Sequence, residues 1–165
     1  MDLDPEIVSL NSVRYFYLRE LPEPRDNSLR LLVDEAICGS EPTDATDRLA
    51  KPALGNLVTN VHPIRTTETC RIFELIWSSY VAYLVTEECV GSCGKYDDET
   101  FEGKLFRVYQ KSHFLEHLAR DTGAHFKRVL HYKLVCLNHL IDVAAYDPPK
   151  IRTIERVPAD PSRLQ

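Results

Sequence analysis

The longest apolar run in the chain covers thirteen residues, from Phe73 to Val85, and it predicts a buried β-strand. With a period of two, one face of this run is almost entirely apolar, and the other face is mixed but half apolar. A helical period also fits part of the run, but its β-branched and aromatic content favours the strand. Because a strand that is apolar on both faces belongs inside a sheet, the pattern predicts the central strand of the fold.

Shorter alternating segments predict further strands on either side of this run. Val13–Arg19 predicts the first strand, Ser28–Ala36 the second, and Leu105–Gln110 a later one. Prolines and glycines interrupt the region before the apolar run, where one short helix near Asp44–Ala50 is expected. A loop that contains glycine and acidic residues, Gly91–Gly103, is expected after it.

One helix and one hairpin are predicted near the C-terminal end. Ser112 is a favourable N-cap for a helix that runs to about Thr122, and Gly123 is a favourable end.

The apolar runs Leu130–Leu137 and Leu140–Tyr146 flank Asn138-His139, a pair suited to a two-residue turn because Asn tolerates positive φ. That turn would place Cys136 opposite Ile141, with one apolar and one polar side to the hairpin. Together these elements predict an α+β fold with one mainly antiparallel sheet of about six strands and one or two helices packed on it.

Length and composition are those of a single soluble domain. The chain has 165 residues and 44% hydrophobic residues, which predicts one domain over residues 1–157 with a frayed tail at 158–165. The acidic first residues do not resemble a secretory signal, and the apolar run is too short to cross a bilayer. Five irregularly spaced cysteines predict reduced thiols, because Cys89 and Cys93 lack the spacing of a zinc or redox pair. These features predict a cytoplasmic protein without a cofactor.

The acidic residues are unevenly distributed along the chain. Residues 1–47 contain eleven acidic residues and four arginines, which leaves about +2 for the rest of a chain whose net charge is −5. This distribution opposes binding to nucleic acid and suits docking to a protein with a basic surface. The predicted partner-binding residues are Asp34, Glu35, Asp97, Asp98, Glu99 and Glu102. A solvated acidic face that only keeps the protein soluble is the alternative.

The sharpest chemical motif is His113-Phe114-Leu115-Glu116-His117. It resembles the H-x-x-E-H pattern of inverted zinc peptidases, in which two histidines one helical turn apart bind zinc and the glutamate acts as a base. The resemblance covers these five residues, and no acidic ligand follows at the expected place. His125 and His131 lie nearby in the sequence and are candidates to complete a site. A small metal- or ligand-binding enzyme that uses His113, Glu116 and His117 is therefore the alternative function.

Three segments resemble a group of small, uncharacterised bacterial proteins. They are Phe73–Glu88, Phe101–Leu118 and Leu134–Ile151, and they share an apolar strand ending in an acidic pair, a YxKSxFL helix start and a C-terminal hairpin. The resemblance implies an α+β fold and brings no catalytic residue. Small acidic bacterial proteins of this type resemble immunity proteins and antitoxins. The function predicted from the sequence is therefore non-enzymatic binding that neutralises a basic effector.

Overall fold

The computed structural model describes residues 5–39, 62–91, 98–123, 128–154 and 156. The elements follow in the order α1 (Pro5–Ser12), β1 (Tyr15–Glu20), β2 (Leu29–Cys38), β3 (Ile64–Arg65), β4 (Ile72–Trp77), β5 (Ala82–Glu87), α2 (Glu88–Gly91), β6 (Thr100–Glu102), β7 (Phe106–Lys111), α3 (His113–Thr122), β8 (Leu130–Val135), β9 (His139–Ala145) and β10 (Lys150–Ile154). Within these ranges, no helix is both long enough and apolar enough to traverse a bilayer.

The strands form two antiparallel sheets. In the first sheet the order is β1-β2-β4-β10, with β3 beside the end of β2, and in the second it is β5-β9-β8-β7-β6. The α+β class is confirmed. The single sheet of about six strands is wrong, because the described strands divide into two sheets of five.

The long apolar run is not one strand, and its division explains the second sheet. It divides into β4 and β5 at the exposed pair Ser78-Ser79. The Tyr80 N–H then donates to the Asn27 carbonyl oxygen at 3.0 Å, and the Val81 N–H donates to the Ala144 carbonyl oxygen at 2.7 Å. The chain thus passes from one sheet to the other within four residues, a change that the apolar pattern does not reveal.

The core lies between the inner sides of the two sheets. Its largest members from both sheets are Phe16, Leu31, Phe73, Leu75, Trp77, Phe106, Tyr132, Leu134 and Ile141. Phe16 meets Phe73 edge-on with a ring-centre distance of 5.7 Å, and Trp77 of the first sheet meets Tyr132 of the second at 5.9 Å. Aromatic contacts therefore join the sheets into one core.

The helix predicted at Ser112–Thr122 is confirmed. The Ser112 hydroxyl oxygen accepts the Leu115 N–H at 3.2 Å, and Gly123 has φ of 65° at the C-cap. The predicted strands at Val13–Arg19, Ser28–Ala36 and Leu105–Gln110 are confirmed as β1, β2 and β7. The sequence pattern did not predict α1, β3, α2 or β10, nor β6, which lies within the predicted loop Gly91–Gly103. The predicted helix at Asp44–Ala50 and the tail at 158–165 lie outside the described residues.

The hairpin is confirmed, but its predicted register is wrong by two residues. Ile141 lies opposite Leu134 and not opposite Cys136. The Cys136 N–H donates to the His139 carbonyl oxygen at 2.9 Å, so the two-residue turn is Leu137-Asn138 and not Asn138-His139. Asn138 does not adopt the predicted positive φ. Its side chain accepts the Leu18 N–H at 2.9 Å and donates to the Leu18 carbonyl at 3.0 Å, so the turn is hydrogen-bonded to β1. A shift of two keeps each side chain on its predicted face.

Candidate functional site

A cleft of about 330 Å³ lies on the outer side of the second sheet. Its floor is formed by β8 and β9, and its walls are formed by β5, α2 and the first turns of α3. The lining side chains are Leu84, Thr86, Val90, Glu99, His113, Phe114, His117, His131, Lys133, Leu140 and Asp142. The cleft therefore combines apolar walls with acidic and basic groups.

A row of hydrogen bonds crosses the floor of the cleft. Ser112 Oγ lies 2.7 Å from His131 Nδ1, and His131 Nε2 lies 2.8 Å from Asp142 Oδ1. Lys133 Nζ lies 3.1 Å from the same Asp142 oxygen. Because the ionised carboxylate accepts hydrogen bonds, Nε2 carries a proton and the Ser112 hydroxyl donates to Nδ1 when the ring is neutral. Serine, histidine and aspartate thus stand in the order typical of an activated nucleophile.

These hydrogen bonds hold the start of α3 against the sheet and do not expose a nucleophile. Ser112 is buried and is not among the cleft-lining side chains, and its oxygen already accepts the Leu115 N–H. His131 is 2% exposed and stacks on Tyr109 with a ring-centre distance of 4.2 Å. A helix cap held by a buried histidine fixes where α3 begins, and hence the position of one wall of the cleft.

The mouth of the cleft contains an ion-pair cluster around His113. Its Nε2 lies 2.6 Å from Asp98 and its Nδ1 lies 3.0 Å from Glu116, while Lys111 lies 2.8 Å from Asp98. Hydrogen bonds from Lys111 and His113 lower the pKa of Asp98 to about 2. Asp98 and then Glu116 raise the pKa of His113. Glu99 accepts the backbone N–H of His113 at 2.8 Å, which fixes the loop to the helix.

The zinc hypothesis gains no support from this geometry. Both ring nitrogens of His113 face carboxylates, and His117 lies on the cleft wall one turn further along α3. Within the described ranges, no three His, Cys, Asp or Glu side chains are arranged to hold a metal ion. Cys70 and Cys136 are buried thiols, and burial raises the pKa of Cys136.

The predicted partner-binding residues that the structure describes lie in three separate places. Asp34 bonds to Arg19 and Arg156 at 2.6 Å each, and Glu35 bonds to Arg71 at 2.9 Å, all on the first sheet. Asp98 and Glu99 lie at the cleft, and Glu102 is exposed on β6. Asp97 lies outside the described residues. The fold therefore separates Asp34 and Glu35, which have arginine partners, from Asp98 and Glu99.

An exposed apolar patch beside the cleft was missed by the sequence reasoning. Leu84 is 49% exposed and Val90 62%, and both line the cleft. Val85 is 37% exposed but lies on the other face of β5, beside Ile141. Both Leu84 and Val85 were predicted to be buried in a central strand. They are exposed because β5 is the outermost strand of the second sheet. Glu87 and Glu88 follow them directly. The acidic pair at the end of the apolar run was the available signal that this part of the strand meets solvent.

Comparison of the chain with models of protein families, with curated proteins and with solved structures finds no match in any of the three. The interpretation of the cleft therefore rests on its own geometry and charges.

Proposed function

We propose that the protein is a non-enzymatic binding protein, of the immunity-protein or antitoxin type, that docks a basic partner protein. The docking site is the cleft between β5, α2 and α3, with the apolar patch that Leu84 and Val90 form on its wall. The observation that carries the proposal is this exposed patch, bordered by carboxylates. Exposed apolar side chains with a polar border are typical of interaction surfaces.

Charge indicates which kind of partner would bind. Glu87, Glu88 and Glu99 make no ion pair with any residue of the described chain, whereas Glu35 and Glu74 on the first sheet have arginine partners. These carboxylates attract a basic surface, and a partner's lysines or arginines would supply cationic partners for them. Lys133 is already paired with Asp142 and offers little to an acidic partner.

The alternative function is a ligand-binding enzyme at His113, Glu116 and His117. It has less support, because the first two of these residues bond to each other in the His113 cluster. Both ring nitrogens of His113 already bond to carboxylates, which gives the cleft a charged wall. A surface that docks a protein through its acidic groups requires no change in these hydrogen bonds.

The experiment is affinity capture followed by kinetics. The chain is immobilised, exposed to lysate of its native host at low salt, and the protein eluted by salt is identified and purified. Its association rate is then measured on the wild type, on Glu88→Lys and on Glu68→Lys, an equal charge change at an exposed residue before β4. Because opposite charges steer encounter, Glu88→Lys should slow association by about 3–10-fold, more so at low salt, and Glu68→Lys should not. Equal association rates for Glu88→Lys and wild type would contradict the proposal.

A further inference from the structure

In the described part of the chain, apart from the two-residue β3, the strand orders of the two sheets end at β1, β10, β5 and β6. Three of these four strands are protected against pairing with another chain. An unprotected outer strand presents unpaired N–H and C=O groups, and natural proteins cover such edges, shorten them, bend them or place charges on them.

The edge of β1 is covered by the hairpin turn of the second sheet. The Leu137 N–H donates to the Phe16 carbonyl oxygen at 2.8 Å. The Asn138 side chain accepts the Leu18 N–H and donates to the Leu18 carbonyl oxygen. The register of β1 against β2 also shifts after Leu18. This edge is closed.

The edges of β10 and β6 are protected by charge and by shape. β10 carries Lys150 and Arg152, whose side chains place positive charge on the strand. β6 is three residues long and has an irregular register beside Phe101, and the Arg107 guanidinium lies 4.5 Å from the centre of that ring. Both strands show recognised means of preventing edge pairing.

Among the residues that the structure describes, the edge of β5 has none of these protections. It is six residues long, and its register against β9 runs without a shift from Ala82 opposite Ala144 to Glu87 opposite His139. It contains no proline and no charged residue before Glu87. Within the described chain, β9 is the sole strand that pairs with it. A straight, apolar and unprotected edge is the feature that strand addition requires.

We infer that an extended segment of the basic partner adds to β5 as a further strand of the second sheet. This inference rests on the proposed function and names its mode of binding. Side chains on one face of the added strand would lie beside Leu84 and Thr86 over the cleft, and main-chain hydrogen bonds would supply affinity.

The charges at the two ends of β5 select the occupant. Glu87 and Glu88 lie at its end, and the Glu23 carboxylate bonds to Tyr83 near its start at 2.9 Å. A second copy pairing antiparallel through β5 would bring Glu87 and Glu88 towards the other copy's Glu23, which is repulsive. A segment with lysine or arginine at both ends and apolar residues between them meets opposite charge at each end.

The test uses the capped octapeptide Lys-Thr-Val-Thr-Val-Thr-Val-Lys, with a matched peptide that has glutamate at both ends. Amide hydrogen exchange is measured on the full chain. The lysine peptide should slow exchange in β5 by at least about tenfold at saturation, and the glutamate peptide should not. Val85→Lys should abolish the slowing. Phe101→Lys, which also introduces a lysine but on β6, the other outer strand of this sheet, should leave the slowing intact. Thermal unfolding of both variants verifies that they fold.

Several outcomes would overturn the inference. These are unchanged exchange in β5, slowing in another strand, equal slowing in Val85→Lys, and a wild-type dimer that Val85→Lys dissociates. If the captured partner is sensitive to Glu88→Lys but binds Val85→Lys normally, the proposed function stands and strand addition is wrong. If no partner is captured although the peptide protects β5, strand addition stands and the proposed function is wrong.

Discussion

At the scale of the residue, single polar side chains hold together segments that are distant in the sequence. Asn11 of α1 accepts the backbone N–H groups of Lys104, Leu105 and Phe106 through one oxygen and donates to the Phe106 carbonyl. Gly103, with φ of 97°, precedes them, and a Cβ there would lie 2.0 Å from the Phe106 carbonyl oxygen. A turn that only glycine can make is therefore tied to a helix by one amide.

His113 gives a prediction about protonation. Its pKa is raised from 6.5 by Asp98 first and Glu116 second, so Asp98→Asn should lower it more than Glu116→Gln does. The raised pKa means that the stability contributed by protonated His113 is complete below pH 6.5 and is lost as the pH rises through the folded-state value. Titration of the ring protons by NMR measures the shift, with Glu102→Gln as a control. An unchanged pKa in Asp98→Asn would show that the cluster is not formed in solution.

The residues that could be predicted from the sequence are those with local partners. Ser112 and Gly123 define a helix through contacts within a few positions, and both were found correctly. Asp34 and Glu35 were predicted to bind a partner from the acidic excess of residues 1–47, and that excess does not show that Arg156 and Arg71 bond to them. No local pattern shows such pairs.

At the scale of the element, the β8–β9 hairpin shows which of its properties the sequence pattern predicts and which it does not. Its faces follow from alternation, but its register depends on a turn whose Asn138 bonds to β1. The same holds for the apolar run. Its strand character was predicted correctly, but its division between two sheets was not predicted.

The hairpin also gives a stability prediction with a matched control in one strand. Leu134 and Leu130 both belong to β8, but Leu134 lies in the core and Leu130 is exposed. Leu134→Ala should lower the free energy of unfolding by about 2–5 kcal/mol through lost burial and a cavity. Leu130→Ala should cost less than about 1 kcal/mol. Urea unfolding measures both, and similar midpoints would mean that the inner face is assigned wrongly.

At the scale of the whole molecule, arginine–carboxylate pairs give the first sheet a dependence on pH. Glu74 is 1% exposed between Arg30 and Arg152. Burial raises the pKa of Glu74, but the hydrogen bonds from Arg152 and Arg30 outweigh it and leave the pKa below 4.5. Hydrogen bonds from Arg71 likewise lower the pKa of Glu35. The stability from both pairs is present above pH 4.5 and is lost as the pH falls through the folded-state values.

The prediction is that replacing these carboxylates flattens the pH dependence of unfolding. Wild type should lose stability between pH 7 and pH 3, measured by urea unfolding. The double variant Glu35→Gln, Glu74→Gln should be weaker at pH 7 and should lose less on acidification. Glu68→Gln, at an exposed residue without an ion pair in the described chain, should behave as wild type. A double variant with the full wild-type slope would assign acid sensitivity to other groups.

The position of β10 has a consequence for synthesis of the chain. It completes the first sheet beside β4, yet it follows every strand of the second sheet in the sequence. During synthesis, one edge of β4 therefore stays unpaired until β10, the last described strand, emerges from the ribosome. Until then Glu74 also lacks Arg152. A stall or truncation ahead of residue 150 would release a chain in which an apolar strand has lost a neighbour, the kind of species that chaperones bind.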